Sequence, residues 1–139
     1  MAPEDELRLR VGVDVVGVER LERLVRDDEE RQRTLFTQVE LDYCRGKRRQ
    51  YEHLAARFAA KEAVLKAFGT GISQRMRWTD VEVVNERSGR PRIRLAGEVA
   101  AFAERRGLQD LDVSLTHTEG LALAHAVTVW SGGDRCAST

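Results

Sequence analysis

Cysteine is scarce in this sequence: Cys44 and Cys136 are the only two. Two unpatterned cysteines build neither a disulfide framework nor a zinc cluster, so free thiols in a reducing compartment are expected. Long apolar runs are missing as well. Nothing approaches the roughly 20 residues that cross a bilayer, no charged-then-apolar leader opens the chain, and a cytoplasmic protein outside the membrane is expected. No sign of charge dominates: 23 Lys and Arg face 23 Asp and Glu. That balance argues against a global field for nucleic acid or anionic lipid. Gly-x4-Gly-Lys-Ser/Thr and Gly-x-Ser-x-Gly are both absent. His53 and His125 do not fall beside other ligand types, which argues against a histidine-based metal site, and a lone histidine such as His117, at a predicted strand end, is usually structural.

What is present is the composition of an ordinary globular domain, 42% apolar and 33% charged. One domain over residues 1–139 is expected, with 1–7 and 131–139 as flexible tails. Residues 8–18 are β-branched and nearly continuous in apolar character, which predicts a buried strand. ERLERLVRDDEE follows with Leu21, Leu24 and Val25 at helical spacing. Thr37 and Glu40 form a Thr-x-x-Glu capping box. A long helix is predicted from about Arg49 to Phe68, closed by Gly69. WTDVEVVNE and RIRL, joined by SGRP, predict a hairpin. GEVAAFAERRG then predicts a short helix, and DLDVSLTH and LALAHAVTVW pair around Thr118-Glu119-Gly120. This order, without regular βα alternation, predicts an α+β fold with a mostly antiparallel sheet.

Within the long helix, RFAAKEAVLKAFGTG carries Lys61 and Glu62 amid apolar neighbours. Lys61 falls on the arc of Leu54, Phe58, Leu65 and Phe68 when each residue advances about 100°. Asp14 interrupts the apolar strand VGVDVV in the same way, and an unpaired buried carboxylate is costly. Two acidic groups from different elements could share one hard divalent cation; Mg²⁺ takes one or two carboxylates and completes its shell with water and phosphate oxygens. Arg57, Lys61 and Lys66 on neighbouring turns would then hold a phosphorylated ligand, and Gly69 and Gly71 would let the backbone approach it. The plainer readings are an Asp14 ion pair, a Glu62–Lys66 surface pair and a solvated cationic face.

VGVDVVGVERLERL, FTQVELDYC, LAARFAAKEAVLKAFGTGI, NERSGRP and VSLTHT occur in the order found in holo-acyl-carrier-protein synthases, and the sequence resembles that family of 4′-phosphopantetheinyl transferases from residue 11 to about 129. The resemblance implies transfer of 4′-phosphopantetheine from coenzyme A to a serine of an acyl carrier protein, by a homotrimer with each coenzyme A cleft at a subunit boundary. It implies that Asp14 and Glu62 bind Mg²⁺, that Lys66 neutralises charge as the phosphoanhydride breaks, and that Glu62, directly or through water, accepts the serine proton. Arg57 and Lys61 would hold coenzyme A phosphates, with Phe58, Gly69 and Pro91 in the same site and His117 and Thr118 near its nucleotide end. Arg20, with Arg23 and Arg26, would meet the acidic carrier, although Glu19 and Glu22 interleave with them. Gly17 stands where many members have Glu. Two other readings of the carboxylate pair are a Mg²⁺-dependent nucleotide phosphohydrolase, which needs no carrier, and a non-catalytic coenzyme A or carrier-binding module, indifferent to chelators.

Overall fold

A computed structural model describes residues 6–73 and 75–132. The expectations for residues 1–5 and 133–139, and for Cys136, lie outside the described residues. The chain runs β1 (Arg8–Gly17), α1 (Val18–Val25), α2 (Glu29–Leu35), α3 (Gln38–Arg45), α4 (Gln50–Phe68), β2 (Val81–Asn85), β3 (Pro91–Leu95), α5 (Gly97–Arg106), β4 (Leu108–Thr118) and β5 (Leu121–Trp130). A three-stranded sheet has the order β1-β5-β4, and β2 and β3 form a separate hairpin; every pairing is antiparallel. The fold is α+β.

Local chemistry sets most boundaries. Thr37 caps α3 through the Glu40 amide, while the Glu40 carboxylate accepts from the Thr37 amide. Gly69 ends α4 with φ 78°, a left-handed conformation that costs glycine little. Glu119 and Gly120 both take positive φ in the β4–β5 turn, as two-residue hairpins require. The Gly120 carbonyl accepts from the Val18 amide at 2.8 Å, which anchors the start of α1 to that turn.

Helix α4 packs across β1 and β5 through small side chains. Ala59, Ala63 and Ala67 of the helix and Ala122, Ala124 and Ala126 of β5 are all buried. Gly12 of β1 lies so close that a Cβ there would stand 2.0 Å from the Ala63 carbonyl oxygen. The other side of α4 is covered by α1, α3 and β2, so most of the helix is enclosed.

Three expectations change. The segment ERLERLVRDDEE is two helices, because Asp27 adopts φ 57° and breaks it. Leu24 points outward and is 41% exposed, unlike Leu21 and Val25. Strand β1 is buried on one face only: Gly12 and Asp14 face α4, whereas Leu9, Val11, Val13 and Val15 on the other face are 67, 59, 51 and 53% exposed. Its near-continuous apolar run therefore reflects a second apolar face that this chain leaves uncovered.

Candidate active site

The polar residues gather at the two ends of α4. At the C-terminal end, the close Gly12–Ala63 contact brings β1 near enough for the short Asp14 side chain to reach the helix. Lys66 Nζ donates to Asp14 Oδ1 at 2.9 Å and to the Val13 carbonyl at 3.0 Å. Glu62, one turn earlier, shares this space. Its pKa is raised, first by partial burial and then by the Asp14 charge, while Lys66 pulls it down. The Lys66 pKa is raised, chiefly by its hydrogen bond to Asp14, which keeps the ammonium charged at neutral pH. Its side chain is half exposed.

Two carboxylates and an ammonium facing solvent make a hard, oxygen-only donor set, of the kind Mg²⁺ accepts. Among the described residues no group of three or more His, Cys, Asp and Glu is arranged so that it could hold a metal ion. A cation held by Asp14 and Glu62 would thus keep most of its shell for water and ligand oxygens.

The N-terminal end of α4 carries the second cluster. The Arg57 guanidinium lies 4.2 Å over the Tyr43 ring and donates to Asn85 Oδ1. Its Nε is buried with no hydrogen-bond partner. His117 Nδ1 lies 3.5 Å from Glu52 Oε2, and the His53 ring sits between Tyr43 and His117. The His53 pKa is lowered, first by burial and then by Arg57, His117 and Lys47. Thr118 closes β4 beside this cluster, and Pro91 is the cross-strand partner of Asn85. Phe58 packs on Trp78 with ring centroids 5.1 Å apart, while Gly69 belongs to the opposite end of α4. Along the axis, Arg57 and Glu62 are about 8 Å apart at the usual rise per residue, and the outermost members, Glu52 and Lys66, about 20 Å. Asn85, Tyr43 and His53 were not singled out from sequence. The i,i+4 spacing of His53 and Arg57 is the signal that could have drawn His53 in.

Lys61 departs from its expected role. It is wholly buried, and its Nζ donates to Glu40 Oε1 at 2.8 Å, to the Trp78 carbonyl at 3.1 Å and to the Val81 carbonyl. All three ammonium protons are committed, so none is left for a coenzyme A phosphate. Glu40, also fully buried, accepts in addition from the Thr37 and Val83 amides. Nor do Arg57, Lys61 and Lys66 ring one carboxylate: Lys66 alone faces Glu62 and Asp14, because the other two point toward α3 and β2.

Arg20, Arg23 and Arg26 lie exposed on or just after α1. Arg26 is 3.6 Å from Glu22; Arg20 and Arg23 make no ion pair among the described residues, and exposed Leu24 sits beside them.

The family model of the 4′-phosphopantetheinyl transferase superfamily matches residues 10–126. Holo-[acyl-carrier-protein] synthase of Desulforudis audaxviator is 45% identical over 126 residues, covering 87% of this chain and 92% of the relative. That of Geobacter sulfurreducens is 44% identical over 117 residues, with 84% and 93% covered. The Chronobacterium ammoniagenes ACPS–CoA complex superposes with a TM-score of 0.77 at 31% identity, over 88% of this chain and 98% of that one. The chain belongs to the 4′-phosphopantetheinyl transferase superfamily and, within it, to the holo-[acyl-carrier-protein] synthase family.

Proposed function

We propose that this protein transfers 4′-phosphopantetheine from coenzyme A to a serine of an apo acyl carrier protein, with Mg²⁺ at Asp14 and Glu62. The observation that carries the reading is the convergence of Asp14, Glu62 and Lys66 at one solvent-facing point. The serine Oγ attacks the phosphorus bearing the pantetheine, the phosphoanhydride P–O bond breaks, and adenosine 3′,5′-bisphosphate leaves with the electron pair. Bound Mg²⁺ would supply positive charge to the pyrophosphate. Lys66 adds an ammonium where negative charge builds on the leaving group. Glu62, whose pKa is raised by partial burial and by the Asp14 charge, takes the serine proton directly or through a water. Such a reaction depends on positioning and electrostatics more than on covalent work by the protein.

Arg57, whose buried Nε lacks an acceptor, and His117 with Thr118 suit the phosphate and nucleotide end of coenzyme A. Phe58 and Pro91 border that end, and Gly69 borders the other. The clusters open on different sides of α4, Arg57 toward α3 and β2 and Lys66 toward β1, so one chain offers two separated halves. The uncovered face of β1 and β5 supports a homotrimer in which neighbouring copies bury those side chains and complete each cleft. The unpaired Arg20 and Arg23 with Leu24 form a cationic and apolar face suited to an acidic carrier, with Arg26 at its margin. No helix among the described residues is long and apolar enough to cross a membrane.

The test is the mass of an apo carrier after incubation with this protein, coenzyme A and Mg²⁺. A gain of one phosphopantetheine, abolished by chelator, is expected. An unchanged mass across fatty-acid, polyketide and peptide carriers, or nucleotide release without a carrier, overturns the reading.

A further inference from the structure

The backbone of β1 touches the backbone of α4 at Gly12. A Cβ at this residue would stand 2.0 Å from the Ala63 carbonyl oxygen and 2.8 Å from the Ala67 amide nitrogen. Neither is a flexible side-chain end, so neither can swing aside. Gly12 and Asp14 share the face of β1 that meets the helix, and their cross-strand partners on β5 are Ala126 and Ala124, both fully buried. The surface under α4 at this point is therefore as thin as amino acids allow. Asp14, a short side chain, meets a helix residue only because of that thinness: its carboxylate touches Lys66 Nζ at 2.9 Å and its charge is felt at Glu62.

We propose that Gly12 is a positioning residue whose missing side chain sets the gap between the Asp14 and Glu62 carboxylates, and that this gap selects Mg²⁺ over a larger cation such as Ca²⁺. The inference rests on the proposal that these two carboxylates share a divalent cation. Magnitudes favour it. Ordinary van der Waals contact begins near 3.4 Å, so a Cβ at residue 12 would move the helix off by more than an ångström. Mg–O bonds are about 2.0–2.1 Å and Ca–O bonds about 2.3–2.6 Å, so across two bonds the ions differ by roughly 0.5–1 Å. One methyl group at residue 12 thus spans the difference between the two ions. Selection between them by cavity size is general when few carboxylates are supplied.

The experiment titrates MgCl₂ and CaCl₂ separately into the full chain, followed by NMR of the amides of residues 12–16 and 62–66, which reads weak binding without any turnover. Wild type is compared with Gly12→Ala and with Ala124→Val, a milder wedge opposite Asp14. Ala103→Val, in the same core but on α5, controls for loss of stability alone. Wild type should prefer Mg²⁺. Each wedge variant that folds should lose roughly 10–100-fold in Mg²⁺ affinity, the usual cost of disturbing the support of a metal ligand. Ca²⁺ affinity should fall less, and Ala103→Val should keep the wild-type ratio. An unchanged Mg²⁺/Ca²⁺ ratio in a folded wedge variant overturns the proposal, as does wild type binding Ca²⁺ as tightly as Mg²⁺. Wild type binding neither ion, or binding undisturbed by Asp14→Asn, instead removes the shared-cation reading beneath it, and the proposal with it.

Discussion

Lys61 and Glu62 are adjacent in sequence and separated by about 100° around the helix, and that angle gives them opposite fates. Lys61 points into the protein and is closed off by Glu40 and two carbonyls; Glu62 points past β1 toward Asp14 and solvent. The Lys61 pKa is lowered, first by burial, while Glu40 pulls it up. Lys61→Met would leave the Glu40 carboxylate buried without its cation, and unfolding in urea should show a loss of about 3–5 kcal/mol. Adding Glu40→Gln should return part of it; a Lys61→Met protein as stable as wild type would contradict this account. Glu62→Gln should behave in the opposite way. Activity should fall on the order of 10²–10³-fold, while thermal unfolding at pH 7 without divalent ions should occur no lower than in wild type. The sign follows from the raised pKa. An acid whose folded pKa lies above its unfolded one costs stability once pH rises through that window, and glutamine removes the cost. The difference should close as pH falls below the ordinary Glu value of about 4.3.

Among the elements, α3 was fully legible because its signals are local. Thr37 and Glu40 stand three residues apart, and both capping hydrogen bonds form. Thr37→Ala should cost about 0.5–2 kcal/mol, read as a lower midpoint in chemical denaturation. Gly69 and the Glu119-Gly120 turn were legible for the same reason, since a backbone conformation favours a residue type. The break at Asp27 was not, because a lone positive φ in a non-glycine residue leaves little compositional trace. Helix α4 shows where periodicity runs out. With sheet on one side and α1, α3 and β2 on the other, apolar residues surround its axis, and the pattern does not say which cation faces which neighbour.

At the scale of the whole molecule, the outer face of the three-stranded sheet dominates. Leu9, Val11, Val13 and Val15 of β1 lie opposite Val129, Val127, His125 and Leu123 of β5, and Leu121 extends the patch at 48% exposed. Exposed apolar area of this kind marks an interface. Leu123→Lys should convert the proposed trimer to monomer in sedimentation velocity and lower activity with it, because the two site halves would no longer meet. A monomeric wild type, or a trimeric Leu123→Lys protein, would remove that assembly from the mechanism.

The sequence alone determined the elements whose signals lie within a few residues, and it marked Asp14, Lys61 and Glu62 as charges out of place in apolar surroundings. The tertiary structure decided what each charge touches. Lys61 meets Glu40 from 21 residues away and Lys66 meets Asp14 from 52, and such pairings depend on how closely α4 settles on β1. That distance is fixed by backbone contact at Gly12, a residue whose contribution is the absence of a side chain and which therefore leaves no chemical mark of its own.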